Sequence, residues 1–280
     1  MLKQRVITGL VLAAIVLEML FAASAVYFPW FVGGVVLIAA WEWANLSGFG
    51  RLWQRSAYAL VIAIALLSAA RFVGFSASSQ IAYNLASAQQ LLILGCGWWA
   101  LALLLVQGYP SSAILWGHTL TRLLMGLLVL VPTWLALTLV RFQPEGAWLV
   151  LMMTAIVATA DIGGYFAGRR FGKRKLAPAV SPGKTLEGFV GGLLSNIVLA
   201  FLIACFSDIG IWLLLAIVVP TSLFSVLGDL LESMVKRHAD VKDSGNILPG
   251  HGGILDRVDS ITAAAPVFAL ALIASGWISS

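Results

Sequence analysis

Charged residues are scarce in this sequence. Asp, Glu, Lys and Arg make up 10% of its 280 residues, whereas apolar residues make up 61%. An average soluble domain has about 25% charged and about 45–50% apolar residues. A soluble chain of this length needs a charged shell around its core, and too few charges are present to form one. The shortage argues against a soluble protein and indicates that lipid is the solvent for most of the chain.

Cysteine and histidine are also rare. The two cysteines, Cys96 and Cys205, lie far apart within apolar runs, and no group of Cys and His has the spacing of metal ligands. These absences argue against a disulfide framework and against a zinc site. The net charge of +5 is spread between apolar runs in a topological pattern. That pattern favours membrane orientation over nucleic-acid binding, so we expect no nucleic-acid partner.

Long apolar runs, by contrast, are abundant. A helix needs about 20 mostly apolar residues to cross the hydrocarbon, and helices suit such segments because their backbone groups are paired internally. We therefore predict an all-α polytopic membrane protein of about nine transmembrane helices, with a first span that is retained and not cleaved as a signal peptide. The predicted spans are 5–26, 29–47, 56–73, 89–107, 118–140, 147–167, 187–206, 211–228 and 261–279.

The basic residues give this arrangement an orientation. If the N-terminus is cytoplasmic, all of the 17 Lys and Arg residues except Arg71 and Arg141 fall on the inner side. Because basic residues concentrate in cytoplasmic loops, the pattern predicts a cytoplasmic N-terminus and an external C-terminus.

We treat the chain as a single integrated membrane domain with two regions. Residues 1–140 form N-terminal transmembrane helices, and residues 141–280 form a C-terminal catalytic transmembrane region. Two charged cytoplasmic loops, 168–186 and 229–260, belong to the second region, and we expect them to form the active site.

Acidic residues are regularly spaced in the second of these loops. Asp229, Glu232, Ser233 and Lys236 are spaced i, i+3, i+4 and i+7, so a helix that continues beyond residue 228 would carry them on one face. Asp256 and Asp259 share a face at the start of the last span in the same way. Carboxylates gathered at a membrane edge repel one another, and a divalent cation is a common means of holding them ionised. Since oxygen ligands suit magnesium, we expect Mg²⁺, with one cation or two.

Basic and glycine residues lie between these acids. Lys and Arg neutralise phosphate charge, and bare glycines let backbone N–H groups approach phosphate oxygens. The same basic residues would also serve membrane topology and bind anionic headgroups, and for any single Lys the two explanations are equally good. The residues concerned are Lys236, Arg237, Lys242, Pro249-Gly250-His251-Gly252-Gly253 and Arg257.

At this point the sequence resembles a known family. Residues 233–259 read SMVKRHADVKDSGNILPGHGGILDRVD and resemble the signature of phosphatidate cytidylyltransferases, also called CDP-diacylglycerol synthases: S-x-x-K-R, K-D, H-G-G and D-R-x-D. Asp161-Ile162-Gly163-Gly164-Tyr165 and Ser181-Pro182-Gly183-Lys184-Thr185 also look like family elements. Gly183-Lys184-Thr185 does not end a P-loop, because that motif needs a glycine where Pro178 stands. The resemblance covers the C-terminal half, whereas Trp41-Glu42-Trp43 is a weak match in the first half.

The resemblance implies a reaction and a set of site residues. CTP and phosphatidate would give CDP-diacylglycerol and diphosphate, in phospholipid biosynthesis. With the residue patterns above, it assigns Asp229, Asp256 and Asp259 as metal ligands. The assigned catalytic residues are Asp229, Lys236, Arg237, Asp256, Arg257 and Asp259. The assigned substrate- and nucleotide-binding residues are Asp161, Ser181, Lys184, Thr185, Lys242, Asp243, His251, Gly252 and Gly253.

The resemblance also implies a cellular setting. We expect an integral protein of the bacterial inner membrane, with its active site facing the cytoplasm, phosphatidic acid supplied from the membrane, and a homodimeric state.

Two other functions are compatible with a membrane helix bundle that carries acids. A CTP-dependent lipid-alcohol kinase would use the same nucleotide and metal but transfer the γ-phosphate. A cation-coupled transporter would carry acids at the membrane midplane and repeated halves. The acids here gather at one membrane face and no repeat stands out, so the transporter is the less favoured of the two.

Overall fold

The computed structural model describes residues 2–75 and 82–278, with side chains from residue 6 onward. Within these residues the chain forms ten α-helices and two short strands. The helices are α1 Leu2–Leu17, α2 Phe28–Leu46, α3 Leu52–Val73, α4 Leu85–Gln107, α5 Ala113–Trp116, α6 Thr119–Arg141, α7 Gly146–Phe171, α8 Leu186–Cys205, α9 Ile211–His238 and α10 Leu255–Ala274; the strands are β1 Lys175–Ala177 and β2 Ser181–Thr185.

Eight helical segments in the described part of the chain are long and apolar enough to cross a membrane. They coincide with the last eight predicted spans, which supports an integral membrane protein. The first predicted span, 5–26, corresponds to a helical segment that runs from Leu2 to Ala22, in which the apolar part Val6–Ala22 is described with its side chains. Its last turn, Glu18–Ala22, is a π-helix. The count of nine spans and the orientation of the chain therefore stay predictions.

Two helices that carry predicted site residues differ from the predicted spans. Helix α9 continues ten residues beyond the predicted end at 228 and ends at His238 with three basic residues in its last turn. Helix α10 begins at Leu255, six residues before the predicted start, with Asp256 in its first turn. Both extensions suit the helix dipole, which favours cations at the C-terminus and anions at the N-terminus.

The segment 168–186 is ordered structure, although we predicted it as a loop in an all-α protein. Helix α7 continues to Phe171. Strands β1 and β2 then pair in antiparallel fashion, with Lys175 opposite Thr185 and Ala177 opposite Ser181. Strand β2 leads directly into α8, because the Thr185 hydroxyl accepts a hydrogen bond from the backbone N–H of Gly188 at 3.1 Å and caps the helix.

Close helix contacts fix the second half of the bundle. Helices α7 and α8 approach so closely at Gly192 that a Cβ there would lie 2.5 Å from the carbonyl oxygen of Ala160. Helices α9 and α10 are equally close at Gly228, where a Cβ would overlap the carbonyl oxygen of Asp259. Helix α10 also packs on α4 and α6, so helices from both halves of the chain share one core. The division at residue 140 stays a prediction.

Candidate active site

The end of α9 presents a polar face to the rest of the site. As the spacing predicts, Asp229, Glu232, Ser233 and Lys236 follow one another along this face. The Ser233 hydroxyl donates to Asp229 Oδ1 at 3.0 Å, and Lys236 Nζ donates to Glu232 Oε2 at 2.8 Å. Hydrogen bonds between neighbouring side chains of α9 therefore fix the conformation of this face.

Lys236 connects α9 to α10. Its ammonium group lies 2.7 Å from Asp256 Oδ1 as well as 2.8 Å from Glu232 Oε2, and all three side chains are at most 11% exposed. Charges removed from water in this way are stable only when they are paired. Lys236 thus links α9 to α10. A phosphate group could bind Lys236 only by competing with Glu232 and Asp256.

Asp256 is fully engaged by hydrogen-bond donors. Besides Lys236, its carboxylate accepts from the backbone N–H of Ser244 at 3.0 Å and from that of Gly253 at 2.8 Å. A carboxylate surrounded by donors is a poor ligand for a cation unless these contacts rearrange. Asp256 therefore fastens the loop before α10 to the start of that helix.

A second charged group surrounds a cavity beside α9. Lys184 Nζ lies 2.5 Å from Asp229 Oδ2, and both side chains are about one-quarter exposed. Asp161 on α7 interacts electrostatically with both of them. The cavity measures about 480 Å³ and is lined by residues of α7, β2, α8 and α9, including Asp161, Lys184 and Thr185. This group has room beside it for a phosphate-bearing ligand.

Asp259 approaches Asp229 where α9 crosses α10. The contact at Gly228 brings the two helices together, and the two carboxylates interact electrostatically across it. Glu232 is near enough to interact with Asp259 as well, and its buried Oε1 has no hydrogen-bond partner within the described residues. Acidic oxygens are therefore concentrated at this crossing.

The donor set suits a magnesium ion that shares its coordination with phosphate groups. Within residues 2–75 and 82–278, no three or more His, Cys, Asp or Glu side chains are arranged to hold a metal by themselves. Mg²⁺, however, is often bound by one or two carboxylates together with substrate phosphates. Asp229 and Asp259 suit that role by position and chemistry. Asp256 suits it less well, because its oxygens already accept several hydrogen bonds.

Two further predicted residues make contacts that hold the backbone. Arg237 is exposed, and its Nε donates to the carbonyl oxygen of Val180 in the turn between β1 and β2, at 3.3 Å. The guanidinium of Arg257 donates to the carbonyl oxygen of His251 at 2.8 Å. Both arginines thus support the segments that surround the cavity and the glycine loop.

The glycine loop, Pro249–Gly253, folds back on itself. Gly252 has φ of +80° and pairs with Leu248, a conformation that favours glycine. The Nδ1 atom of His251 is buried without a hydrogen-bond partner in the described structure. Lys242 and Asp243 are exposed beside this loop.

The two remaining predicted residues lie on β2, and they differ in position. Ser181 is half-buried at the start of the strand and does not line the cavity, whereas Thr185 lines it and caps α8. The structure thus brings Asp161, Lys184 and Thr185 together at the cavity, and the ion pair with Lys184 holds Asp229 next to them.

Glu42 is a buried residue near the site that the sequence patterns did not select. It lies on α2, is 2% exposed, and its carboxylate accepts hydrogen bonds from residues 244, 254 and 255. No spacing rule could reveal a contact across about 200 residues. The signal that could have found it is the presence of an acidic side chain within an apolar span, which is a functional indication in a membrane protein.

The fold and the site together define a class of protein. The chain is an integral membrane helix bundle in which acidic and basic side chains converge at one end, beside a cavity suited to phosphate groups.

Comparison with known proteins identifies the family. This chain belongs to the cytidylyltransferase family, whose model matches residues 3–274. It is 44% identical to the phosphatidate cytidylyltransferase of Pseudomonas aeruginosa over 281 residues, covering 99% of both chains. It is 41% identical to the phosphatidate cytidylyltransferase of Haemophilus influenzae over 285 residues, covering 96% of this chain and 97% of the relative. A shorter match to the same enzyme of Staphylococcus saprophyticus is 49% identical over 133 residues, about half of each chain.

Proposed function

We propose that this chain is a phosphatidate cytidylyltransferase, which converts CTP and phosphatidate into CDP-diacylglycerol and diphosphate. The observation that carries the proposal is the full-length similarity to two enzymes of that name. The charged cavity beside α9 supports it, because the reaction joins two phosphate-bearing substrates.

The reaction requires one bond to form and one to break. A phosphate oxygen of phosphatidate attacks the α-phosphorus of CTP in line, and the bond from that phosphorus to the bridging oxygen of the β-phosphate breaks. Diphosphate carries away the electron pair. The phosphate monoester is largely ionised near neutral pH, so positioning and charge neutralisation suffice without a dedicated general base.

Asp229 and Asp259 are the residues that would hold Mg²⁺ in this scheme. When bound, the ion supplies charge neutralisation on the triphosphate and favours departure of diphosphate. Lys184 reaches the same place from β2 and would bind a phosphate in exchange for Asp229. Asp256 and Lys236 would act chiefly by keeping α9 and α10 in register, with Arg257 and the glycine loop beside them. A second cation stays a prediction.

We place the site at the cytoplasmic face of a bacterial inner membrane. The distribution of basic residues supports this orientation. A contact supports it too, since the Thr8 hydroxyl on α1 donates to the carbonyl oxygen of Pro249 at 3.3 Å. The beginning of α1 thus lies beside the glycine loop, as a cytoplasmic N-terminus would require. A homodimer, implied by the resemblance, is part of the same proposal.

The decisive experiment follows the label of CTP with purified protein, phosphatidate vesicles and Mg²⁺. Label in the α-phosphate should enter the lipid, and label in the γ-phosphate should leave as diphosphate. Transfer of the γ-label to a lipid, with the α-label left in CDP, would identify a lipid kinase and overturn the proposal. Asp229→Asn and Asp259→Asn should each lower the rate by about 100-fold or more. The matched control is Asp208→Asn, because Asp208 is an exposed residue of the connection between α8 and α9, and this variant should keep the full rate.

A further inference from the structure

Glu42 makes a set of contacts with the beginning of α10. Its Oε1 accepts from the backbone N–H of Ile254 at 3.1 Å, and its Oε2 accepts from that of Leu255 at 2.8 Å. The Oε2 atom also accepts from the Ser244 hydroxyl at 3.1 Å. A side chain of α2 therefore performs the capping function for a helix that begins about 210 residues later.

The carboxylate occupies a slot that two glycines keep open. A Cβ at Gly245 would lie 2.5 Å from Glu42 Oε1, and a Cβ at Gly253 would lie 2.5 Å from Oε2. Any larger residue at either position would displace the carboxylate or the loop. The close fit shows that the loop before α10 is shaped around this side chain.

The slot also explains how an acid is accommodated within an apolar helix. Among the ion pairs of the described residues, none includes Glu42. Its donors are instead N–H groups at a helix N-terminus, where unpaired N–H groups and the helix dipole favour negative charge. A buried acid is costly unless it is hydrogen-bonded, so the slot and the side chain stabilise each other.

The contacts of Glu42 continue into the site. Ser244 donates its hydroxyl to Glu42 and its backbone N–H to Asp256, at 3.0 Å. Gly253 packs on Glu42 and also donates its N–H to Asp256. Asp256 in turn holds Lys236, and Asp259 follows one turn later on α10. The placement of both aspartates thus depends on where α10 begins.

We propose that Glu42 is a positioning residue for cytidylyl transfer: it fixes the start of α10 and the Ser244 loop, and through them the placement of Asp256 and Asp259. This inference rests on the proposed function. Its carboxylate form is required, because donors face both of its oxygens. In Glu42→Gln, an amide NH₂ would face a backbone N–H on one side, and at least one contact would be lost.

The test compares Glu42→Gln with Glu18→Gln in the purified full-length protein. Glu18 is a matched control, an exposed acid of an apolar segment far along the chain from these contacts. We expect Glu42→Gln to lower kcat by about 10- to 100-fold with a KM for CTP within about threefold of wild type, since misplaced groups impair the chemical step. The Mg²⁺ concentration for half-maximal rate should rise. Hydrogen exchange at the amides of residues 254 and 255 should become faster in Glu42→Gln but not in Glu18→Gln.

Ser244→Ala provides a second variant that removes only one of the three contacts. It should lower kcat by about 3- to 10-fold. In the double variant Ser244→Ala/Glu42→Gln, kcat should fall by less than the product of the two single fold-changes, because both changes act on one network. If Glu42→Gln does not fold, Ser244→Ala decides alone, and a wild-type kcat in that variant overturns the proposal.

Other outcomes separate this inference from the proposed function. A kcat and Mg²⁺ dependence of Glu42→Gln equal to those of Glu18→Gln would reject the positioning role. So would a rate that falls only in proportion to the folded fraction of the protein. Failure of the wild-type protein to form CDP-diacylglycerol would instead reject the proposed function, and the exchange measurement would still report whether Glu42 holds the start of α10.

Discussion

At the scale of single residues, the two lysines of the site differ in their surroundings. Lys236 lies between two nearly buried carboxylates, whereas Lys184 is about one-quarter exposed and pairs with a single carboxylate at the cavity. The first arrangement is typical of a group that holds helices together. The second is typical of a group that can exchange its partner for a ligand.

Removing each lysine should therefore have a different main effect. Lys236→Met leaves Glu232 and Asp256 without their cation and should destabilise the protein by about 3–5 kcal/mol, as is usual when one member of a buried ion pair is lost. Lys184→Met should cost about 1 kcal/mol or less in stability but lower kcat by about 100-fold. Thermal unfolding in one detergent and the diphosphate-release rate measure the two effects. Equal unfolding temperatures for the two variants would contradict this assignment.

The sequence predicts some of these residue roles but not others. The helical spacing of Asp229, Glu232, Ser233 and Lys236 depends only on neighbours along the chain, and α9 confirms it. The partners of Asp256 could not be foreseen, because Ser244 and Gly253 reach it through a loop of irregular backbone. An acid within an apolar span marks Glu42 as unusual, but its partners in the Ser244 loop and at the start of α10 could not be foreseen for the same reason. Pairings across long stretches of chain require the fold.

At the scale of elements, the crossing of α9 and α10 determines where the acids meet. Gly228 allows the two backbones to touch, and Asp229 follows it directly in sequence. Predicting the helices required only their apolar runs and lengths. Predicting their contact required knowing that Gly228 faces α10, which the apolar pattern does not show. The hairpin that carries Lys184 was missed likewise, because strands of three and five residues leave no clear alternation.

Adding one methyl group at the crossing should separate the helices. In Gly228→Ala, the new Cβ would overlap the carbonyl oxygen of Asp259 and lie 3.2 Å from the Cβ of Ala263. We expect destabilisation by about 1–3 kcal/mol, typical of overpacking, and a fall in kcat of about 10-fold or more as Asp229 and Asp259 move apart. Thermal unfolding in detergent measures the loss of stability, and the diphosphate-release rate measures the fall in kcat.

Gly97 on α4 supplies the control for this change. A Cβ at Gly97 would meet no atom within 4 Å, so Gly97→Ala should keep its rate and equal or exceed wild-type stability. If both alanine variants behaved alike, contact between α9 and α10 would not be the feature that brings the acids together.

At the scale of the whole molecule, membrane orientation follows from charge and from the predicted number of spans. The segment Val6–Ala22 is the one predicted span that is not among the eight long apolar helices found in the described residues, and it ends in a π-helical turn. Its contact with Pro249 places the beginning of α1 near the glycine loop. An N-terminus on the same side as that loop requires an even number of crossings between them.

Labelling with a membrane-impermeant maleimide tests the orientation. Cys205 ends α8 and is exposed, so it should react from outside in spheroplasts. A cysteine introduced by Lys242→Cys into a Cys205→Ser background should react only after lysis. A tag at the N-terminus should be protected like residue 242, and a tag at the C-terminus should be accessible like Cys205. Accessible residue 242 in intact spheroplasts would reverse the proposed orientation, and an accessible N-terminal tag would contradict nine spans.

The ion pair between Lys184 and Asp229 has a consequence for the charge of the site before substrate binds. The lysine and the aspartate neutralise each other, so neither of these two side chains is an unpaired charge beside the cavity before substrate binds. An incoming nucleotide with its counter-ion offers each of them a new partner of matching sign. Substrate entry can thus proceed as an exchange of partners, in which neither side chain ever stands alone as a bare charge.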